Sequence, residues 1–174
     1  ADMFNGITIN GNRNGTIANG NLLAGDGDVL SLWSTCYGRI ASVNYFLSKA
    51  EPLLENTEDA DDRLDIERYI GEAHFTRAFY YIALFDRFCQ VYSSDKGETP
   101  ALGVPITLEY NPTADRSKYP GRSTMNESVK LINDELKLAL TAMQTYEASD
   151  KKHVAPMSPY ICSYTVMALQ ARFA

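Results

Sequence analysis

The stretch Gly71-Glu-Ala-His-Phe-Thr-Arg-Ala-Phe-Tyr-Tyr81 decides the fold of this chain, because it lies at the centre of a long helical pattern from Asp59 to Val91. In the first half of that pattern, apolar residues recur at helical spacing between charged ones: Leu64, Ile66, Tyr69, Ile70 and Ala73. From Phe75 to Phe88 the apolar residues surround the helix, which requires burial inside a larger body. The pattern predicts one long helix, exposed at its start and buried at its end.

The composition of the chain is that of a globular domain. Its 174 residues suffice for one core, and 45% of them are hydrophobic and 22% charged. A net charge of -6 argues against a nucleic-acid or anionic-membrane surface, because no basic stripe is available to neutralise phosphates.

The three cysteines, Cys36, Cys89 and Cys162, are odd in number and have no CxxC spacing. They fit small buried hydrophobic residues better than a disulfide framework or a zinc site. We find no signal peptide, no lipid-attachment cysteine near Ala1 and no apolar run long enough to span a bilayer. Because the sequence starts without Met and stops inside a helical pattern, we expect it to be a fragment.

Three further helices are predicted around the central one. Asp26 or Asp28 caps the first, which extends to about Ala50 and carries a stripe of Trp33, Tyr37, Ile40, Asn44 and Leu47. Asn44 is interpreted as a buried amide that satisfies a backbone group. Thr124-Met-Asn-Glu127 has the form of a capping box and opens a helix to about Tyr146. Ser158-Pro159 opens the fourth helix, which is apolar on most faces and therefore predicted to be buried.

The predicted fold class is all-α, with about four main helices in two antiparallel pairs and two long irregular segments. The first segment, residues 1–28, is rich in Gly and Asn, with a short strand or hairpin around Ile7–Ile9. The second, residues 89–121, contains a brief extended piece at Leu102–Ile106.

A search for catalytic and metal-binding motifs finds little. The two histidines are His74, interpreted as structural, and His153, in a loop without an evident partner. The Asn10–Gly15 segment superficially follows the start of a calcium loop but lacks the carboxylates that hard cations need. We therefore predict no metal and no cofactor. An enzyme is the weaker hypothesis, because most Asp and Glu residues lie on helix faces with Lys or Arg three or four residues away, which is the pattern of a solvated surface.

The aromatic content, 11% with 11 tyrosines, accompanies amide-rich loops. Flat rings cover the C–H face of a sugar while Asn, Asp and Arg side chains take its hydroxyls, so this composition suits a neutral polyhydroxylated ligand. It also suits ordinary packing between helices, which we expect to account for most of the tyrosines.

Five ordered motifs resemble the SusD/RagB family of outer-membrane lipoproteins across about residues 30–174. The central helix matches through Glu72-Ala73, Phe75, Arg77-Ala78, Tyr80-Tyr81 and Leu84-Phe85. The others are the stripe of the first helix, Gly103-Val104-Pro105 followed by Arg122-Ser123, Asn133-Asp134-Glu135-Leu136 with Ala139, and Ala168-Leu169-Gln170-Ala171-Arg172. His74 and Thr76 depart from the usual Arg and Leu, and Cys89 and Tyr92 replace Gly and Pro.

The resemblance implies a tetratricopeptide-like scaffold, residues 29–174, that continues beyond this sequence and follows an irregular segment at 1–28. It implies a lipoprotein on the outer face of the outer membrane that binds oligosaccharides or polysaccharides and passes them to a SusC-like TonB-dependent transporter. In this family, ligand sites are usually built on variable loops, so the site residues expected here are Asn12, Arg13, Asn14 and Asn21. Glu72 and Arg77 are expected to be structural polar residues, and Trp33 a core residue.

Two other functional classes are alternatives to a glycan-binding lipoprotein. One is a helical-repeat scaffold that docks on the transporter and has no sugar site of its own in this fragment. The other is an α-helical carbohydrate-active enzyme, for which the sequence offers no candidate carboxylate pair.

Overall fold

The computed structural model describes residues 23–149 and 160–174. Within them the chain forms four α-helices, which are α1 (Gly27–Asn56), α2 (Ala60–Phe88), α3 (Met125–Glu147) and α4 (Ser163–Phe173), with a short 3-10 helix at Arg116–Lys118. The predicted all-α class is thus confirmed. A division between Thr35 and Cys36 separates two compact units, and the site and core described below belong to the second.

The first helix begins directly after Asp26, one of the two predicted cap residues, and differs from the prediction at its other end. The Asp26 carboxylate accepts from the amide of Leu23 at 2.8 Å, and the Asp26 carbonyl accepts from the amide of Leu30. At its other end α1 continues through Pro52 to Asn56, so the expected end near Ala50 is wrong. The extension is stabilised from α2, because Arg63 Nη1 donates to the carbonyls of Leu54 and Thr57 at 2.7 and 2.9 Å.

Trp33, which was expected in the core, is only half-buried. The buried apolar residues of the second unit come from all four helices: Ile40 and Leu47 from α1, Tyr81 and Leu84 from α2, Ile132, Leu136 and Met143 from α3, and Val166 from α4. All buried residues of α2 lie between Gly71 and Phe85. This confirms the prediction of a central helix that is exposed at its start and buried at its end.

Helices α2 and α3 pack directly against each other. Both begin as predicted: Asp59 accepts from the amides of Asp61 and Asp62, and Thr124 and Glu127 complete a capping box. Gly71 lies at a close approach, where an added Cβ would overlap the Cβ of Ala142 and lie 2.8 Å from Met143 Cε. Glycine is therefore required for this distance between the two helices.

The connection from α2 to α3 is irregular but hydrogen-bonded. Pro105 and Arg122 form an isolated antiparallel bridge, flanked by bonds from Gly103 N to Ser123 O and from Ser123 N to Val104 O. Arg122 also donates to the carbonyls of Gly103 and Phe88, at 2.7 and 2.6 Å. The expected extended piece is thus paired with the Arg122-Ser123 motif, and Arg122 satisfies a carbonyl at the end of α2.

The last helix starts later than expected, at Ser163 instead of Pro159. Its first turn is held by Glu147, whose carboxylate accepts from the backbone amide and the hydroxyl of Ser163 at 2.7 and 2.6 Å. The prediction of a helix buried on most faces is wrong. Only Ser163, Val166 and Leu169 are buried, and a second apolar stripe at helical spacing is exposed, namely Tyr164, Met167, Ala168 and Ala171.

None of these four helices combines the length and the continuous apolar character that a bilayer crossing would need, within residues 23–149 and 160–174.

Candidate functional site

The ligand-binding residues expected from sequence, Asn12, Arg13, Asn14 and Asn21, lie outside the described residues, as do the strand at Ile7–Ile9 and the Ser158-Pro159 cap. They remain predictions. All of the side chains described below belong to the second unit, residues 36–174.

A buried polar network joins three helices. The Arg77 guanidinium of α2 bonds the Glu135 carboxylate of α3 at two points, Nε–Oε2 and Nη2–Oε1, both 2.8 Å. His74 Nδ1 lies 2.9 Å from the same Oε2 atom. Arg77 Nη1 then donates to Asn44 Oδ1 on α1 at 2.9 Å. All four side chains are buried, so their mutual bonds replace the water that they have lost.

The charge on Glu135 is stabilised by this network. Burial alone would raise the pKa of the carboxyl, but hydrogen bonds from His74 and Arg77 and the positive charge of Arg77 lower the pKa below its ordinary value. Glu135 is thus an ionised acceptor that fixes the positions of His74 and Arg77. The structural roles expected for Arg77 and His74 agree with these contacts.

The network extends to the loop between α2 and α3 through four side chains that we call the loop anchor: Tyr37, Asn44, Arg77 and Tyr81. Tyr37 donates to the Pro105 carbonyl at 2.8 Å. Asn44 Nδ2 donates to the carbonyls of Thr107 and Glu109 at 3.1 and 3.4 Å. This confirms the interpretation of Asn44 as a buried amide that satisfies backbone groups.

Tyr81 and Arg77 complete the loop anchor from α2. The Tyr81 hydroxyl donates to the Thr107 carbonyl at 3.0 Å and accepts from the Thr107 amide at 2.8 Å, and Arg77 Nη1 donates to the Leu108 carbonyl at 3.4 Å. Burial raises the pKa of Tyr37 and of Tyr81, so both phenols stay neutral donors. The loop is therefore fixed through its backbone.

A groove of about 510 Å³ lies between α2 and α3, close to the end of α1. Its floor is largely apolar, with Leu54, Ile70 and Leu138, and His74 is among its lining residues. Charged residues at the same groove are Glu67, Asp134 and Lys137. In shape and polarity it can receive an apolar side chain or ring.

A cationic side chain stabilises the end of α3. The Arg68 guanidinium carbon lies 4.5, 5.1 and 5.5 Å from the ring centroids of Tyr69, Tyr146 and Tyr160. Arg68 also pairs with Glu72 at 2.6 Å, which gives Glu72 a structural role. Burial raises the pKa of Glu72, and the Arg68 charge opposes that rise. These contacts tie Tyr160 and α3 to α2.

The cysteines of the described residues form no disulfide, and the acidic side chains there form no metal-binding group. All three cysteines are free thiols, and burial raises the pKa of Cys36 and of Cys89, which makes these thiols poor nucleophiles. In the part of the chain that is described, no three His, Cys, Asp or Glu side chains are grouped so as to hold a metal ion.

The helices and the buried Arg77 network together define an all-α domain whose helices are joined by polar contacts. The chain belongs to the SusD-like family: the sequence model described as "Starch-binding associating with outer membrane" matches residues 3–159. Among curated proteins, none matches the chain.

Solved structures of SusD-like proteins share this fold. A SusD superfamily protein of Bacteroides thetaiotaomicron is 25% identical, with a TM-score of 0.72 over 94% of this chain and 32% of that one. A SusD-like carbohydrate binding protein of Bacteroides vulgatus is 21% identical, with a TM-score of 0.65 over 90% of this chain and 30% of that one. A SusD-like carbohydrate binding protein of Bacteroides fragilis is also 21% identical, with a TM-score of 0.64 over 88% of this chain and 25% of that one. The chain thus spans about a third or less of each.

Proposed function

We propose that this chain is part of a non-catalytic glycan-binding protein of the outer-membrane surface, which delivers oligosaccharides to a SusC-like TonB-dependent transporter. The observation that carries the proposal is the family match across residues 3–159, whose description combines starch binding with the outer membrane. The carbohydrate-binding relatives from two Bacteroides species have the same fold and support the same ligand class.

The rigid interior is consistent with a binding role. The hydrogen-bonding groups of Glu135 and of the loop anchor bond to one another and to carbonyls of the loop. They stabilise a scaffold on which loops can present ligand-binding side chains. A preorganised surface of this kind reduces the entropy cost of binding a flexible oligosaccharide.

The test is to screen the complete protein against maltoheptaose and matched oligomers of cellulose, xylan and mannan by isothermal titration calorimetry. We expect saturable binding of at least one oligosaccharide, with its chain length unchanged when it is recovered by chromatography after long incubation. Shortened products would contradict the non-catalytic role. An absence of binding to every oligosaccharide would contradict the glycan-binding role.

A second candidate is a scaffold whose main ligand is the transporter itself. The largely apolar groove between α2 and α3 favours it, because such a groove can receive an apolar side chain of a partner protein. Co-purification of the complete protein with the transporter distinguishes the two candidates. The scaffold candidate predicts a stable complex and no glycan affinity, and the leading proposal predicts both a complex and glycan affinity.

A further inference from the structure

We propose that Tyr45 and Tyr110 form a stacking platform for one pyranose ring of the bound glycan. This inference rests on the proposed function and assigns part of its ligand site. Tyr45 lies on α1 and Tyr110 lies in the loop between α2 and α3. Their ring centroids are 4.9 Å apart and the ring planes meet at 65°. In spite of this contact, Tyr45 is 49% exposed and Tyr110 46% exposed.

The exposed pair is held in place by the buried network. Asn44 precedes Tyr45, and its amide donates to the carbonyl of Glu109, the residue before Tyr110, at 3.4 Å and to the carbonyl of Thr107 at 3.1 Å. Asn44 is fixed in turn by Arg77. The side chain of the residue before Tyr45 therefore binds the backbone of the residue before Tyr110. The two rings are positioned before any ligand arrives, which lowers the cost of binding.

The groups around the platform suit a polyhydroxylated ligand. Lys49 Nζ lies over one face of the Tyr45 ring, 5.6 Å from its centroid. Glu109 and Asn111, on either side of Tyr110, are exposed. An aromatic ring packs against the C–H face of a sugar, and ammonium, carboxylate and amide groups bond to hydroxyls at the ring edge. A purely apolar partner would leave these polar groups unsatisfied, which favours a sugar.

The experiment measures the affinity of the complete protein for the same four oligosaccharides, maltoheptaose and its cellulose, xylan and mannan counterparts. The variants are Tyr45→Ala, Tyr110→Ala and Tyr45→Phe. Tyr119→Ala is the matched control, because Tyr119 is 56% exposed and lies outside the tyrosine pair. Circular dichroism melting curves of all variants check the fold.

We expect each platform alanine variant to weaken binding of the recognised oligosaccharide by roughly tenfold or more, as for loss of an aromatic anchor. Tyr45→Phe keeps the ring and should lose less than about threefold, since only one hydroxyl is removed. The control should bind as the wild-type protein does.

Three outcomes would overturn the platform, and they separate it from the proposed function. Undiminished binding by both alanine variants overturns the platform and leaves the glycan-binding role standing. Normal glycan affinity combined with lost transporter association would make the tyrosine pair a protein contact. Failure of the wild-type protein to bind any of the four oligosaccharides would overturn the platform and the proposed function together.

Discussion

Arg77 and Glu135 form a two-point ion pair between α2 and α3, with both N–O distances at 2.8 Å and both side chains almost wholly buried. The pair also connects to His74 and, through Asn44, to the loop that carries Tyr110. The same residues thus stabilise the interior and position the exposed loop. Altering them should therefore affect both the stability of the fold and the position of that loop.

Replacing Glu135 by Gln should lower the free energy of unfolding by about 3–5 kcal/mol, because it leaves Arg77 as an uncompensated buried charge. Urea unfolding of the complete protein measures this value. The neighbouring Asp134→Asn is the control, since the Lys130–Asp134 pair is largely exposed, at 77% and 56%. That substitution should cost less than about 1 kcal/mol. Equal effects of the two substitutions would contradict the structural role of the network.

The stability that Glu135 contributes should depend on pH in a defined direction. Its folded-state pKa is lowered below the unfolded value, so the contribution is fully present above the ordinary glutamate pKa of about 4.3 and is lost as the pH falls through the folded-state pKa. We expect the stability difference between the wild-type protein and Glu135→Gln to shrink below about pH 4. Thermal unfolding of both proteins between neutral and acidic pH measures it. A difference that grows on acidification would reverse the assigned sign.

Gly71→Ala should destabilise the protein by about 1–3 kcal/mol, despite the better helix propensity of Ala, because the new methyl group overlaps Ala142 and crowds Met143. Gly38→Ala is a matched control within α1, where an added Cβ meets nothing within 4 Å. That change should stabilise the protein by about 0.5–1 kcal/mol. Denaturant midpoints of the two variants should therefore move in opposite directions, and a shift in the same direction would contradict the close approach of α2 and α3.

Glu147→Ala should loosen α4, because it removes the carboxylate that accepts from the amide and hydroxyl of Ser163. Loss of a helix cap costs about 0.5–2 kcal/mol. Hydrogen exchange should show faster exchange of α4 amides and little change in α2. Glu51→Ala, at an exposed position of α1, serves as the control. Uniform acceleration across all helices would mean that Glu147 acts on the whole fold instead of on α4.

Local signals in the sequence predicted most of the helices. The cap at Thr124 follows from a four-residue motif, and the structure forms both of its hydrogen bonds. The burial of Asn44 follows from its place on an apolar stripe. The end of α1 was missed because Pro52 normally stops a helix. Here Arg63, from the following helix, bonds the carbonyl of Leu54 in the last turn of α1 and the carbonyl of Thr57 just beyond it. The late start of α4 was missed for a similar reason, since its stabilising contact comes from Glu147.

The candidate site was harder to predict. Glu135 belongs to a recognisable motif, but its pairing with Arg77 joins residues 58 positions apart and depends on how α2 packs on α3. The contact of Tyr45 with Tyr110 depends on the path of an irregular loop. The sequence of such a loop has no periodic pattern from which its path could be predicted. The predicted site at Asn12, Arg13, Asn14 and Asn21 remains a prediction.

In the loop, the loop anchor binds main-chain atoms, namely the carbonyls of Pro105, Thr107, Leu108 and Glu109 and the amide of Thr107, and one side chain, the Thr107 hydroxyl, 3.5 Å from the Tyr81 hydroxyl. Every peptide has these main-chain atoms, whatever its side chains. The loop anchor thus fixes the backbone of the loop without contacting the side chains at 108, 109 and 110. A protein engineer could therefore exchange the side chains at 108, 109 and 110 to seek new sugar preferences while keeping the backbone path of the loop.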